Sequence, residues 1–196
     1  MATDKLKILL REVRACTVCA AHLPNPPRPV VRASSSARLL IVGQAPGRKV
    51  HDTGIPWNDP SGDLLREWLQ IDRGAFYDEA NIAIVPMGFC YPGKGTSGDL
   101  PPRPECAPLW QAKMRAQMPK ISLTLLIGQY AQGYYLGDKR GKTMAETVRD
   151  HRRFGPDLFP LPHPSPRNRN WLRINSWFGR EVLPELRRRF KAAMLA

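Results

Sequence analysis

The chain has 196 residues, of which 42% are hydrophobic and 24% charged, with 20 prolines and 15 glycines; that suits one globular domain with a single core and excludes a collagen-like or low-complexity polymer. Thirty Lys and Arg against 17 Asp and Glu leave a formal charge of +13, a balance that points to a polyanionic partner such as nucleic acid. No stretch reaches the length of a bilayer span and the first residues carry no apolar signal core, so the expectation is a cytoplasmic, nucleoid-associated monomer with no membrane partner.

In chain order, residues 4–15 put Leu6, Leu9, Leu10 and Val13 on one face and predict a helix. Residues 20–36 form a Pro- and Ser-rich connector. ARLLIVG (37–43) is a short apolar run of the kind found in buried parallel strands. Residues 61–69 read as a helix opened by Ser61 as N-cap. NIAIVP (81–86) predicts a second strand, 105–118 a helix and SLTLLIG (122–128) a third strand. Helices follow at 129–136 and 142–149. DLFPLP (157–162) reads as a fourth strand, and 176–195 as a terminal helix. Strands alternating with helices predict one α/β domain over 1–196, a parallel sheet covered on both faces. Ligands of such sheets bind beyond the carboxyl ends of the strands. Those ends carry GQAPG (43–47), PMGFC (86–90), GQYA (128–131) and HPSPRN (163–168), so the unusual residues gather on one edge.

Four cysteines stand out. Cys16 and Cys19 form a C-x-x-C after the first helix, while Cys90 and Cys106 flank a Gly- and Pro-rich segment. Four thiolates complete a tetrahedral site for a soft metal. An iron–sulfur cube accepts wide spacing, and spacing alone does not separate it from zinc. GQAPG is a tight turn whose amides can face a ligand, and no Walker Lys follows it. Trp57, in GIPW, serves either to cap the core or to stack on a planar base. His51 and Asp52 are the nearest groups able to handle a proton or a water. His163 is held between Pro162 and Pro164, which restrict the backbone on both sides; a fixed imidazole suits a hydrogen-bond donor to a developing anion. One basic block comprises Arg149, Arg152, Arg153, Arg167, Arg169 and Arg173. A second comprises Arg180, Arg187, Arg188, Arg189 and Lys191, on the polar side of the terminal helix.

Taken together, GQAPG…GIPW, the Cys16/Cys19/Cys90/Cys106 pattern, IGQYAQGYYLG and HPSPRN resemble the uracil-DNA glycosylase superfamily. The cysteine pattern is similar to the iron–sulfur family four of bacteria and archaea. HPSPRN resembles the second motif of the single-strand-selective monofunctional uracil glycosylases. The resemblance implies a three-layer α/β/α fold around a short, mainly four-stranded parallel sheet and a structural [4Fe–4S] cluster on the four cysteines, with zinc as the alternative. It implies excision of uracil, or related deaminated bases, from DNA by a monofunctional enzyme. It also implies site roles. His163 contacts the base; Asp52 or His51, which follow the position of the family's acid, are this chain's own candidates to position water. Gly43, Gln44, Ala45, Pro46, Gly47, Trp57 and Met87 form the substrate pocket, and Ser165, Pro166, Arg167, Asn168 and Arg169 enter the duplex. Three positions depart from the family pattern. Gln44 stands for a glutamate, Val50 for an acidic residue and Pro86 for the asparagine that reads the uracil edge. The alternative function is a catalytically silent, glycosylase-like binder of nucleic acid.

Overall fold

The computed structural model describes residues 2–195. Helix α1 (Ala2–Arg14) leads through a long connector to strand β1 (Leu39–Val42), then α2 (Arg48–Thr53), α3 (Pro60–Leu69), α4 (Arg73–Phe76) and β2 (Ile82–Ile84). A small hairpin, β3 (Lys94–Gly95) and β4 (Gly98–Asp99), precedes α5 (Cys106–Ala116), β5 (Leu123–Ile127), α6 (Gly128–Leu136), α7 (Met144–Arg149), β6 (Leu158–Leu161), α8 (Arg169–Ile174) and α9 (Leu183–Leu195).

The central sheet has the order β2-β1-β5-β6 and every pairing is parallel. Leu39 lies opposite both Ile82 and Leu123, and Thr124 opposite Leu158. The strands are apolar on both faces because both are covered. Leu40, Val42, Ala83, Val85 and Leu126 pack with residues of α1, α5 and α6. Leu39, Ile41, Ile84, Leu125 and Ile127 pack with residues of α3, α7 and α9 on the other side. This is the expected three-layer α/β/α fold with a four-stranded parallel sheet. Among the described residues, no helix is long and apolar enough to cross a membrane.

The differences from the predicted elements have local causes. Helix α3 starts at Pro60, not after Ser61. Asp59 is its N-cap, accepting the Gly62 amide at 2.8 Å, and Pro60 takes the first helical position, where a missing N–H costs nothing. The terminal helix is interrupted. A π turn spans Phe178–Val182 before α9 begins, next to Pro184, which has no amide to donate into a regular ladder. The short helices α2, α4 and α8 and the hairpin were not anticipated, being too short for a periodic signal.

Candidate active site

The strand order reverses beside β1, and beyond the carboxyl ends of β1, β2 and β6 a cleft opens, the edge where open α/β sheets bind ligands. It encloses about 410 Å³ of empty space, including the part open to solvent, and is lined by Gly43, Gln44, Ala45, Pro46, Gly47, Val50, Pro56, Trp57, Asp59, Ile84, Pro86 and His163. The GQAPG turn is tied to the segment after β2: the Met87 amide donates to the Gly43 carbonyl and the Gly88 amide to the Gln44 carbonyl, both at 2.9 Å. The Gln44 side chain donates to the Leu100 carbonyl at 3.1 Å.

The rings of His163 and Trp57 are neighbours, with centroids 5.6 Å apart and planes tilted by 30°. The Trp57 backbone is left-handed, with φ of 56°, unusual for a bulky residue. Three neighbours hold it there. The Tyr77 hydroxyl donates to the Pro56 carbonyl at 2.7 Å, and buried Arg66 reaches the Trp57 carbonyl at 3.4 Å. Gly62 leaves room for that carbonyl, since a Cβ there would stand 1.8 Å from the Trp57 oxygen. Likewise Gly43 makes way for the indole, whose Cζ2 would be 2.9 Å from a Cβ. His163 is fixed by its flanking prolines and by Asn168, whose Nδ2 donates to the His163 carbonyl at 2.7 Å. Burial pushes the His163 imidazole below its ordinary pKa, and the negative charge of Asp59 opposes that shift.

Several anticipated residues lie elsewhere. His51 and Asp52 do not line the cleft; Val50 does. One turn of helix turns Val50 inward, and Asp52 pairs with Arg48 at 3.0 Å on the exposed side. Met87 contributes its amide to the turn, but its side chain is buried with the α1/α5/α6 core. Arg167 donates to the Ser97 carbonyl of the hairpin at 2.9 Å, and Ser165 accepts the Arg167 amide at 3.2 Å. Pro166 begins the short turn that ends at Asn168, and Arg169 opens α8 on the surface. Pro86 does line the cleft; its carbonyl is held by buried Gln111 Nε2 at 2.6 Å, and Gln111 in turn accepts from the Tyr135 hydroxyl at 3.0 Å. Of the second basic block, Arg188 and Arg189 both bond Glu185, which they hold down to about 2, and Arg187 bonds the Trp68 carbonyl. These arginines serve α9 rather than the cleft.

Asp59 is the residue the sequence reading missed. It is the only acid among those lining the cleft, and its signal was the Asp-Pro pair opening α3, which marks an N-cap.

The four cysteines line one separate pocket of about 440 Å³, including the part open to solvent, with Pro27, Pro29, Phe89, Glu105 and Trp110 among its other walls. The Phe89 amide bonds the Cys106 sulfur at 3.4 Å, and the Arg28 backbone bonds that of Cys90. Burial pushes the free thiols up, Cys90 to about 11 and Cys106 to about 12. Among the described residues, no three His, Cys, Asp or Glu side chains are grouped to hold one metal ion.

The three-layer fold with its cleft at the strand ends defines a ligand-binding α/β domain of the open, parallel-sheet class. A sequence model of the uracil DNA glycosylase superfamily matches residues 31–187, and the chain belongs to that superfamily. It is also 26% identical, over 137 residues covering 70% of this chain and 69% of the relative, to the type-4 uracil-DNA glycosylase of Thermotoga maritima.

Proposed function

We propose that the protein hydrolyses the N-glycosidic bond of uracil in DNA, leaving an abasic site. The observation that carries this reading is the joining of His163, Trp57 and Asp59 in one cleft at the ends of β1, β2 and β6. The target nucleotide leaves the stack, at a cost of a few kcal/mol, and its base lies against Trp57. As the bond to C1′ breaks, the base keeps the electron pair and becomes an anion. Neutral His163 donates a hydrogen bond to it, and a donor fixed beforehand needs no reorganisation at that moment. The sugar becomes oxocarbenium-like, as in other glycoside hydrolysis. The Asp59 carboxylate stabilises that cation and orients the water whose oxygen adds to C1′; the proton lost from the water ends on the departed base or in solvent. Ser165, Pro166 and Arg169 face the duplex, with Arg149 and Arg173 on its phosphates. Arg167 and Asn168 brace the loop that carries His163.

The chemistry of the donor set supports a [4Fe–4S] cluster: all four cysteines line one pocket and two of the sulfurs accept backbone amides. When bound, the cluster supplies a structural cross-link between the loop after α1 and the Cys90–Cys106 segment.

Pro86 brings no side-chain donor or acceptor to the base edge, which supports a second reading, a silent binder. The test is a set of oligonucleotides carrying uracil, hypoxanthine or xanthine, incubated with protein and cleaved by alkali. Strand breaks at uracil are expected. Intact strands throughout, despite binding, would favour the silent binder.

A further inference from the structure

A second concavity adjoins the cleft. It encloses about 1270 Å³, including space open to solvent, between α6 and the proline-rich stretch leading into α5. Its walls are aromatic and apolar, from Tyr130, Tyr134, Pro102 and Pro104, and its charges are Arg103 and Arg140, with no acid among the lining residues. Tyr130 and Tyr134 are four apart on α6 and so share one face of the helix. Tyr134 is 45% exposed, one of the few large hydrophobic side chains left open to solvent. Arg140 is anchored by its Nε to the Gly137 carbonyl at 3.1 Å, and its guanidinium lies over Gly133, between the two tyrosines in sequence. Arg103, at the other wall, is ion-paired with Glu105 at 2.7 Å, so among the described residues Arg140 carries the groove's unpaired positive charge.

This groove neighbours the cleft. Gly88 packs between them: a Cβ there would be 2.9 Å from Pro102 and 3.4 Å from Ala45 of the GQAPG turn. On the other side, Gln129 of the groove follows Gly128, which lies against His163. A strand that delivers one nucleotide to the cleft therefore has its neighbours within reach of the tyrosines.

We infer that this groove binds the unpaired bases of single-stranded DNA beside the flipped nucleotide, stacking them on Tyr134 and Tyr130 while Arg140 meets the phosphates. Aromatic faces accept any base, and positive charge tracks the backbone; the two together are what sequence-tolerant single-strand sites use. In duplex DNA the neighbouring bases are already stacked on each other and offer no free face. The inference deepens the glycosylase reading and rests on it for the identity of the adjoining cleft.

The test uses fluorescently labelled, uracil-free oligonucleotides, so it reads binding without excision. Tyr134→Ala is expected to weaken binding of a single strand roughly tenfold, while Tyr134→Phe, which keeps the ring, stays near the wild-type affinity. Affinity for a duplex of equal length should change by less than about twofold, because stacking is not offered there. Arg140→Gln should weaken single-strand binding and flatten its salt dependence. Equal losses on single strand and duplex, or an unchanged single-strand affinity in Tyr134→Ala, would overturn the proposal. Loss of uracil excision in the wild type would instead overturn the function proposed for the cleft, and leaves this binding measurement readable.

Discussion

His163 and Asp59 both line one cleft, yet each is fixed by a different part of the chain. His163 is held by prolines and by Asn168, Asp59 by its cap on α3. Under the proposed mechanism, replacing His163 by Ala removes the donor to the departing base and should lower single-turnover excision roughly 100- to 1,000-fold, with DNA affinity retained. For Asp59, the informative change is Asp59→Asn. Asparagine caps a helix about as well as aspartate, so stability should move by only a few tenths of a kcal/mol, measured by urea unfolding. Excision should nevertheless fall about 100-fold, because the carboxylate charge is gone. A variant that is destabilised in proportion to its lost activity would show Asp59 to be a cap alone. The same pair shows how far the sequence could be read at this scale. His163 announced itself through its two prolines. Asp59 did not, because a cap and a cleft carboxylate look alike until α3 is seen to point its N-terminus at the strand ends. His51 and Asp52 looked eligible by proximity to GQAPG, but one helical turn sent Asp52 to Arg48.

At the scale of elements, the sheet was legible and the small connections were not. Four apolar runs of four to seven residues, each followed by Gly, Pro or His, announced buried parallel strands. The hairpin of β3 and β4 has only two residues per strand, so no alternation exists to be seen. It matters nonetheless, since it receives Arg167 from the loop after β6. The contact between α3 and the Pro56–Trp57 turn is another feature made by packing rather than pattern. Gly62→Ala should put a methyl group into the Trp57 carbonyl. The expected outcome is a loss of about 1–3 kcal/mol in urea unfolding, with a fall in excision and no change in iron content. If Gly62→Ala excises uracil at the wild-type rate, α3 does not set the position of Trp57.

Over the whole molecule, acid should loosen the fold in a defined window. His151 is buried, its ring 4.9 Å from Phe159, with Nδ1 near the Val148 carbonyl at 3.2 Å and Nε2 without a partner among the described residues. Burial is the main cause that lowers its pKa, helped by Arg189 and Arg152 and opposed by the Val148 contact and Glu185. The unfolded chain then takes up a proton at about pH 6.5 while the folded chain does not. Stability is therefore full above that pH and falls as pH drops from about 6.5 toward the lower folded value. His163 adds to the effect in the same direction. Urea midpoints measured from pH 8 to 5 should show this slope, and His151→Phe should flatten it. The cysteine pocket supplies a second test at this scale. Protein purified without oxygen should be brown and contain iron, and Cys90→Ser should lose both colour and several degrees of melting temperature, since a bound cluster adds to folding free energy. Stoichiometric zinc in place of iron would refute the cluster.

Trp57 illustrates a conflict between two optima. A left-handed backbone costs a residue with a side chain about 1 kcal/mol or more, and glycine almost nothing. Glycine would relax the turn and leave the cleft without its ring. At this one position the residue that best suits the chain and the residue that best suits a planar ligand are different. A screen for thermal stability alone would therefore drift toward small residues at position 57 and lose the ring beside His163.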